Sequence, residues 1–324
     1  MNEFWKTDPL AQVALEAVRR GAAVCRRVQG RLGSGPLIKG DDSPVTIADF
    51  GSQALICHSL DRAFPTLPIV AEEDAVELRR DENAAVLQAI HEQICNSELM
   101  NITLTDVCDW IDLGRPQPRA GRFWTLDPID GTKGFLRGGH YAVALALIDH
   151  GQVSLGIMAC PNFLMGGESA SELETEARGV VFLAARGQGA YALPLDPSRS
   201  DPPRRLRVSG VSQPGEARYC ERIEGKAHTK DETAAIAQEL GLTAPPLRLD
   251  SQGKYAVVAR GEVEFYVRSP GRTDYREKIW DHASGVLLLQ EAGGQVTDLQ
   301  GAPLDFAAGV TLANNHGIIA SNGR

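Results

Sequence analysis

The sequence predicts an α/β (α+β) fold in two sub-domains, and three observations carry the prediction. Segments with apolar residues at three- and four-residue steps, the spacing of one helical face, interleave with short aliphatic runs of strand type. Two such runs flank Asp149-His150-Gly151, a hairpin signal, so antiparallel pairing is mixed into the alternation. A proline-rich stretch poor in apolar residues, 194–205 (PLDPSRSDPPRR), reads as a linker between an N-terminal part, 1–193, and a C-terminal part, 206–324.

Leu10, Val13, Ala14, Ala17, Val18, Gly21, Val24, Cys25 and Val28 share one face of a first helix, which the glycine-rich and basic stretch 30–40 ends. A second helix runs from about Ile47 to Phe64, with Ala54, Leu55 and Leu60 inward, and stops before Pro65. Residues 67–71 form a short buried strand that delivers Glu72, Glu73 and Asp74 at its end. The stretch 75–121 is polar and weakly patterned, helical near 83–99, and is expected to be an insertion or a flap over the site. Strands follow at 123–126, 141–148, 153–159, 180–184 and 189–193. Beyond the linker, a helix is expected at 231–240, an apolar turn or helix at 256–259, and an alternating strand at 262–267. The last helix, 281–292, is stopped by Gly293-Gly294. No internal repeat is visible.

With 324 residues, 43% of them hydrophobic, the chain can bury a core without covalent staples. A net charge of -9 disfavours partners that attract basic surfaces, so neither nucleic acid nor membrane is expected. Six scattered cysteines, with no C-x-x-C pair and no histidine at zinc spacing, argue for reduced thiols. The N-terminus shows no basic segment followed by an apolar run, and no apolar stretch reaches the ~20 residues that cross a bilayer. The expectation is a soluble cytoplasmic protein, monomeric or a small homo-oligomer.

The densest chemical signal is Asp127-Pro128-Ile129-Asp130-Gly131-Thr132. Two carboxylates at the end of an apolar strand can converge where the chain turns, with Pro128 stiffening and Gly131 permitting the turn. Gly131 and Thr132 then begin a segment whose N–H groups could hold phosphate oxygens. Clustered carboxylates stay ionised only beside a cation, and an all-oxygen set suits Mg²⁺ over Zn²⁺. Asp49, Glu72 and Asp281 stand in comparable settings. Bland roles compete: a capped turn for the D-x-x-D-G string and Thr132, the polar side of a helix for Asp49, an N-cap for Asp281. Glu73 and Asp74 read as supporting or solvated carboxylates, and His140 as structural.

These blocks, extended to SPVTIADFGSQALI, IVAEED, WTLDPIDGTKGFLRGGHYAVALALI, DSQGKYAVVARGEVEFYVR, YREKIWDHASG and EAGGQVTD, resemble the lithium-sensitive, magnesium-dependent phosphatases related to inositol monophosphatase and fructose-1,6-bisphosphatase. Within that superfamily the chain is similar to the 3′(2′),5′-bisphosphate nucleotidases, over about 39–298. The resemblance implies a layered α-β-α-β-α sandwich and two or three Mg²⁺ ions. Glu72, Asp127 and the carbonyl of Ile129 would hold one ion, Asp127, Asp130 and Asp281 a second, and Glu72 with waters a third. It implies direct in-line attack by a metal-bound water that Thr132 orients, with Asp49, hydrogen-bonded to the threonine hydroxyl, taking the proton. No phosphoenzyme is expected. Substrate-binding residues would be Gly131, Thr132, Ser251, Lys254, Arg268 and Asp281, with Lys254 and Arg268 on a second phosphate unless they are surface charges; His228 or Lys230 is a weaker candidate. The implied substrate is adenosine 3′,5′-bisphosphate, and by extension its sulfated relative, 3′-phosphoadenylyl sulfate. An inositol (poly)phosphate phosphatase is the enzymatic alternative, and a non-catalytic nucleotide sensor the alternative from another class.

Overall fold

A computed structural model describes residues 3–30, 37–38, 44–96, 101–115, 121–167, 178–223, 227–269 and 275–324. Helix α1 (Pro9–Gln29) starts where the Asp8 carboxylate accepts the Leu10 N–H at 2.8 Å and Pro9 presets the first turn. A two-strand ribbon, β1 (Leu37–Ile38) with β2 (Pro44–Val45), leads to α2 (Ile47–Ala63). Strand β3 (Ile69–Ala71) precedes α3 (Ala84–Cys95) and α4 (Leu104–Asp112). Then come β4 (Arg122–Asp130), the short α5 (Thr132–Leu136), β5 (Ala142–Asp149), β6 (Gln152–Leu164), β7 (Arg178–Ala185), β8 (Gly189–Pro194) and β9 (Arg204–Arg205). The C-terminal part contains β10 (Tyr219–Glu221), α6 (Ala227–Glu239), β11 (Leu247–Arg248), α7 (Gly253–Ala259), β12 (Phe265–Arg268), α8 (Ala283–Glu291), β13 (Gln295–Thr297) and β14 (Ile318–Ser321).

Strands β3 to β9 form one sheet in sequence order, with β3 parallel to β4 and every later pair antiparallel. The β5–β6 hairpin turns at His150 and Gly151, both with positive φ (49° and 78°), the backbone that matches strand twist. The second sheet has the order β11-β10-β12-β14-β13. Residues 194–205 lead from one sheet towards the other, and Arg204–Arg205 still pair with β8.

The layers follow from which face each strand buries. On β5, Val143, Leu145 and Leu147 pack into a core with α1 and α2, whereas Ala142, Ala144 and Ala146 face a second core. That second core is shared with α7, α8 and the smaller sheet, and the small residues on the β5–β6 face let α8 approach closely. A Cβ on Gly156 would meet the Ser284 carbonyl at 3.0 Å. On β12 the alternation sends Tyr266 and Arg268 towards a polar cavity, while Phe265 and Val267 line an apolar groove with Ile236 and Leu240 of α6. The order α1/α2, large sheet, α7/α8, small sheet, α6 is the α-β-α-β-α sandwich the resemblance implies.

Three expectations change. The stretch 75–121 holds a second helix, α4, that the pattern did not reveal; Leu87, Ile90 and Ile94 of α3 and Val107, Cys108 and Ile111 of α4 are buried against the α2 side. No described residue of that stretch lines the polar cavity, so it packs as part of the N-terminal layer and not as a flap. Strand β4 also continues through Asp127 to Asp130, with a register shift between them, where a turn was expected. No described helix is long and apolar enough to cross a membrane.

Candidate active site

Helix α2 places three functional groups in its first two turns. Thr46 and Asp49 form a reciprocal cap: Ala48 N–H donates to the Thr46 hydroxyl at 3.1 Å, and Asp49 Oδ2 accepts the Thr46 N–H at 2.8 Å and the Thr46 hydroxyl at 2.6 Å. Asp49 is 1% exposed. One turn on, the Ser52 hydroxyl donates to the Pro128 carbonyl at 3.2 Å. Gln53 donates to the carbonyls of Glu73 (2.6 Å) and Ile111 (2.9 Å) and accepts the Glu73 N–H at 3.0 Å. One helix therefore fixes both acidic segments, Glu72–Asp74 and Asp127–Asp130.

The threonine hydroxyl bound to Asp49 belongs to Thr46, whereas the expectation was Thr132. The Thr132 hydroxyl donates to the Ile129 carbonyl at 3.2 Å, three residues back at the start of α5. Asp281 lies two residues before α8, whose N-cap position is His282, so the capping role that competed for Asp281 is not used. Gly131 has φ 88°, and a Cβ there would meet Ser251 at 3.0 Å, so glycine is what lets the two parts of the site close on each other.

Glu72, Asp130, Gly131, Thr132, Ser251, Lys254, Arg268 and Asp281 all line one cavity of about 300 Å³. Asp127, 2% exposed, and Ile129, 1% exposed, are buried in β4. Burial, then the charges of Glu72, Asp130, Asp281 and Asp49, push the Asp127 carboxyl well above the usual range. Its Oδ1 has no hydrogen-bond partner among the described residues. Burial raises the Asp281 carboxyl as well; Arg268 opposes this, but Asp130, Glu72 and Glu277 add to it. Mutually repelling carboxylates around an orphaned buried oxygen fit a hard divalent cation, with Glu72, Asp127, Asp130 and Asp281 as the set that would hold it.

Among the described residues, however, the group of ligand-type atoms that lies within 4.8 Å of one another is a different one, Glu277, Asp281 and His282, and no three of Glu72, Asp127, Asp130 and Asp281 come that close. Arg268 already occupies it. The guanidinium contacts both Glu277 oxygens, at 2.7 Å and 2.5 Å, and approaches Asp281 at 3.8 Å. Burial favours a neutral Glu277, but Arg268 and His282 outweigh it and hold the carboxyl at about 2. His282, kept neutral by burial, donates from Nε2 to Glu277 (3.3 Å) and accepts the Tyr255 hydroxyl at Nδ1 (2.7 Å). This is an ion-pair network behind Asp281, and it leaves Arg268 largely neutralised.

Several residues in and around the cavity had no distinguishing signal in the sequence. Gln252 donates its N–H to Asp130, its amide to the Trp280 carbonyl (2.8 Å), and accepts the Ser284 hydroxyl (2.8 Å), so it ties Asp130 to the segment carrying Asp281. Its neighbours Ser251 and Lys254 were the informative letters of the same string. Arg137 pairs with Asp250 at the rim, and Lys133, Arg222, Tyr255 and Tyr266 complete the wall. Lys254 is 3% exposed, so it is no surface charge; it donates to the Ser251 carbonyl at 2.6 Å and lies 5.3 Å from the Tyr266 ring centre. His140 sits edge-on to Phe163 and does not line the cavity. His228 and Lys230 are in α6, but their side chains lie outside the described residues, as does the 39–43 end of the first motif.

A cavity that gathers carboxylates from the ends of β3 and β4 and from the α8 lead-in beside several cations, in a five-layer sandwich, fits a class of metal-assisted phosphatase. The inositol monophosphatase family matches residues 6–323, and the chain belongs to that family. It is an enzyme, a phosphoric monoester hydrolase. Among curated proteins it is 41% identical over 327 residues to the 3′(2′),5′-bisphosphate nucleotidase of Emericella nidulans, covering 95% of this chain and 93% of that one. It is 43% identical over 333 residues to the rice enzyme of the same name, covering 95% and 89%. Among solved structures, the IMPase of Thermotoga maritima superposes with a TM-score of 0.61 at 22% identity, covering 95% of this chain and 90% of that one. CysQ of Bacteroides thetaiotaomicron gives 0.60 at 16% identity, covering 97% of each, which shows the shared fold.

Proposed function

We propose that the chain is a magnesium-dependent, lithium-sensitive phosphatase that removes the 3′-phosphate of adenosine 3′,5′-bisphosphate, leaving AMP, and acts likewise on 3′-phosphoadenylyl sulfate. The observation that carries this reading is the polarity of one cavity. Carboxylates Glu72, Asp130 and Asp281 line it together with the cations Lys254 and Arg222, so a reacting phosphate and a second anionic group can be held at once. Relatives at about 41% identity that carry the nucleotidase name support the same substrate class.

Glu72, Asp127, the Ile129 carbonyl, Asp130 and Asp281 would hold two or three Mg²⁺ ions. When bound, Mg²⁺ would neutralise phosphoryl oxygens and lower the pKa of a nearby water. The chain's own groups do the rest. Thr132, which lines the cavity at the start of α5, orients the attacking water. Asp49, buried beside Thr46 and outside the cavity lining, is the proposed acceptor of the water's proton, and a side-chain shift that brings it to Thr132 is required for that role. The water oxygen forms the new bond to phosphorus as the bond to the 3′-oxygen breaks, and the leaving oxygen is protonated from solvent. The Arg268–Glu277–His282 network holds Asp281 in place. The free thiols fit a reducing, cytoplasm-like compartment.

The test is phosphate release from adenosine 3′,5′-bisphosphate, 3′-phosphoadenylyl sulfate and a panel of inositol mono- and polyphosphates, with Mg²⁺ and with added Li⁺. Fastest turnover of the two nucleotides, suppressed by millimolar Li⁺, is expected. Preference for an inositol phosphate would reassign the substrate, and binding without release would make the protein a sensor.

A further inference from the structure

Arg222 leaves the C-terminal end of β10, which runs parallel to β12 with Cys220 opposite Tyr266, so it emerges beside the end of β12 that carries Arg268. Crevices at the carboxyl ends of parallel strands are where open α/β sheets bind ligands. Arg222 lines the same cavity as Lys254 and Arg268, yet it makes no hydrogen bond or ion pair among the described residues. Among the described residues Lys254 has no carboxylate at ion-pair distance either; its ammonium bonds the Ser251 carbonyl and faces an aromatic ring. Arg268, in contrast, is held by both oxygens of Glu277.

Resting on the bisphosphate reading above, we propose that Arg222, with Lys254, binds the phosphate that does not react, and that Arg222 sets the preference for a doubly anionic substrate. Arg222 is an exposed cation of the cavity wall, and the buried Lys254 ammonium beside it feels its charge. Burial, then the charge of Arg222, already presses the Lys254 ammonium down to about 8. A phosphate between them removes that repulsion and gives the guanidinium a planar, two-oxygen acceptor. Arg268 cannot supply the same selectivity, because its charge is spent on Glu277 and Asp281.

The test compares wild type with Arg222→Gln and Arg222→Lys. Hydrolysis is measured with adenosine 3′,5′-bisphosphate and with adenosine 3′-phosphate, and binding of AMP and of adenosine is measured by calorimetry. The Gln variant should lower the kcat/KM preference for the bisphosphate about 10-fold, through KM, on the scale of one charged hydrogen bond. It should weaken AMP about as much while leaving adenosine unaffected, and the Lys variant should recover part of both losses. Equal losses on both substrates and both ligands, or no loss, would overturn the proposal. The AMP and adenosine measurement needs no turnover, so it decides the role of Arg222 even if the wild type proves inactive on the bisphosphate, an outcome that would strike only the functional reading.

Discussion

Lys254 carries a charge that its surroundings resist. Arg222 past β10 and Arg268 on β12 oppose the ammonium, Asp130 and Cys220 favour it, and the Tyr266 ring covers it. Burial is the largest influence, and the balance brings it from 10.5 to about 8. Between those values the unfolded chain binds the extra proton and the folded chain does not, so this group alone makes stability rise with pH there. Anion binding has the opposite sense: it needs the ammonium, so KM for the bisphosphate should be lowest below pH 8 and climb as pH passes through it. A KM that is flat from pH 7 to 9 in Lys254→Met and rising in wild type would confirm the assignment; identical profiles would refute it. Asp130→Asn and Asp281→Asn should each leave a folded protein with activity reduced by at least ~100-fold at saturating Mg²⁺, the scale of a lost electrostatic group in a preorganised site. Wild-type turnover in either would remove it from the metal-holding set. The carboxylates were legible because they sit in strings whose order is itself a pattern, D-P-I-D-G-T above all. Arg222 was not, since nothing local marks a single residue leaving a three-residue strand.

Among the elements, α8 shows how packing positions chemistry. Its Gly285 lies against the ring of Tyr255 in α7, and an added Cβ would come within 2.3 Å of Cδ2 and 2.6 Å of Cγ. Tyr255 is 1% exposed and tethered to His282, so the ring has nowhere to go. Alanine gains about 1 kcal/mol of helix propensity here but overpacks the core by about 1–3 kcal/mol or more, so steric cost wins. Gly285→Ala should lower the denaturant midpoint and raise KM, because α7 begins one residue before Lys254. An unchanged midpoint would mean the helices slide apart freely. Long periodic elements, α1 and α2, were legible almost to the residue. Helix α4 was not: its apolar face is only Val107, Cys108 and Ile111, and its clearest mark, the Thr103–Asp106 cap, lies in a polar background.

At the scale of the molecule, the second core joins one face of the large sheet to α7, α8 and the small sheet. Although residues 194–205 are proposed to separate two sub-domains, neither can expose its share of that core cheaply. Unfolding should therefore appear as one transition, with tryptophan fluorescence and circular dichroism coinciding. Two separated transitions would show that the halves fold alone. Their contact could not be read from the chain, because Gln252 meeting Asp130 and Ser251 meeting Gly131 span more than a hundred residues without any local trace. The smaller sheet adds a temporal constraint. Its strand β14, Ile318–Ser321, lies between β12 and β13, paired to both, although it is the last strand in the chain order. On the ribosome, Tyr266 and Arg268 have no partner strand on that side until residues 318–321 emerge from the exit tunnel. The nascent chain would thus carry a complete set of acidic groups well before it has a firm wall to seat a nucleotide, and catalytic competence would arrive only once β14 has paired with β12.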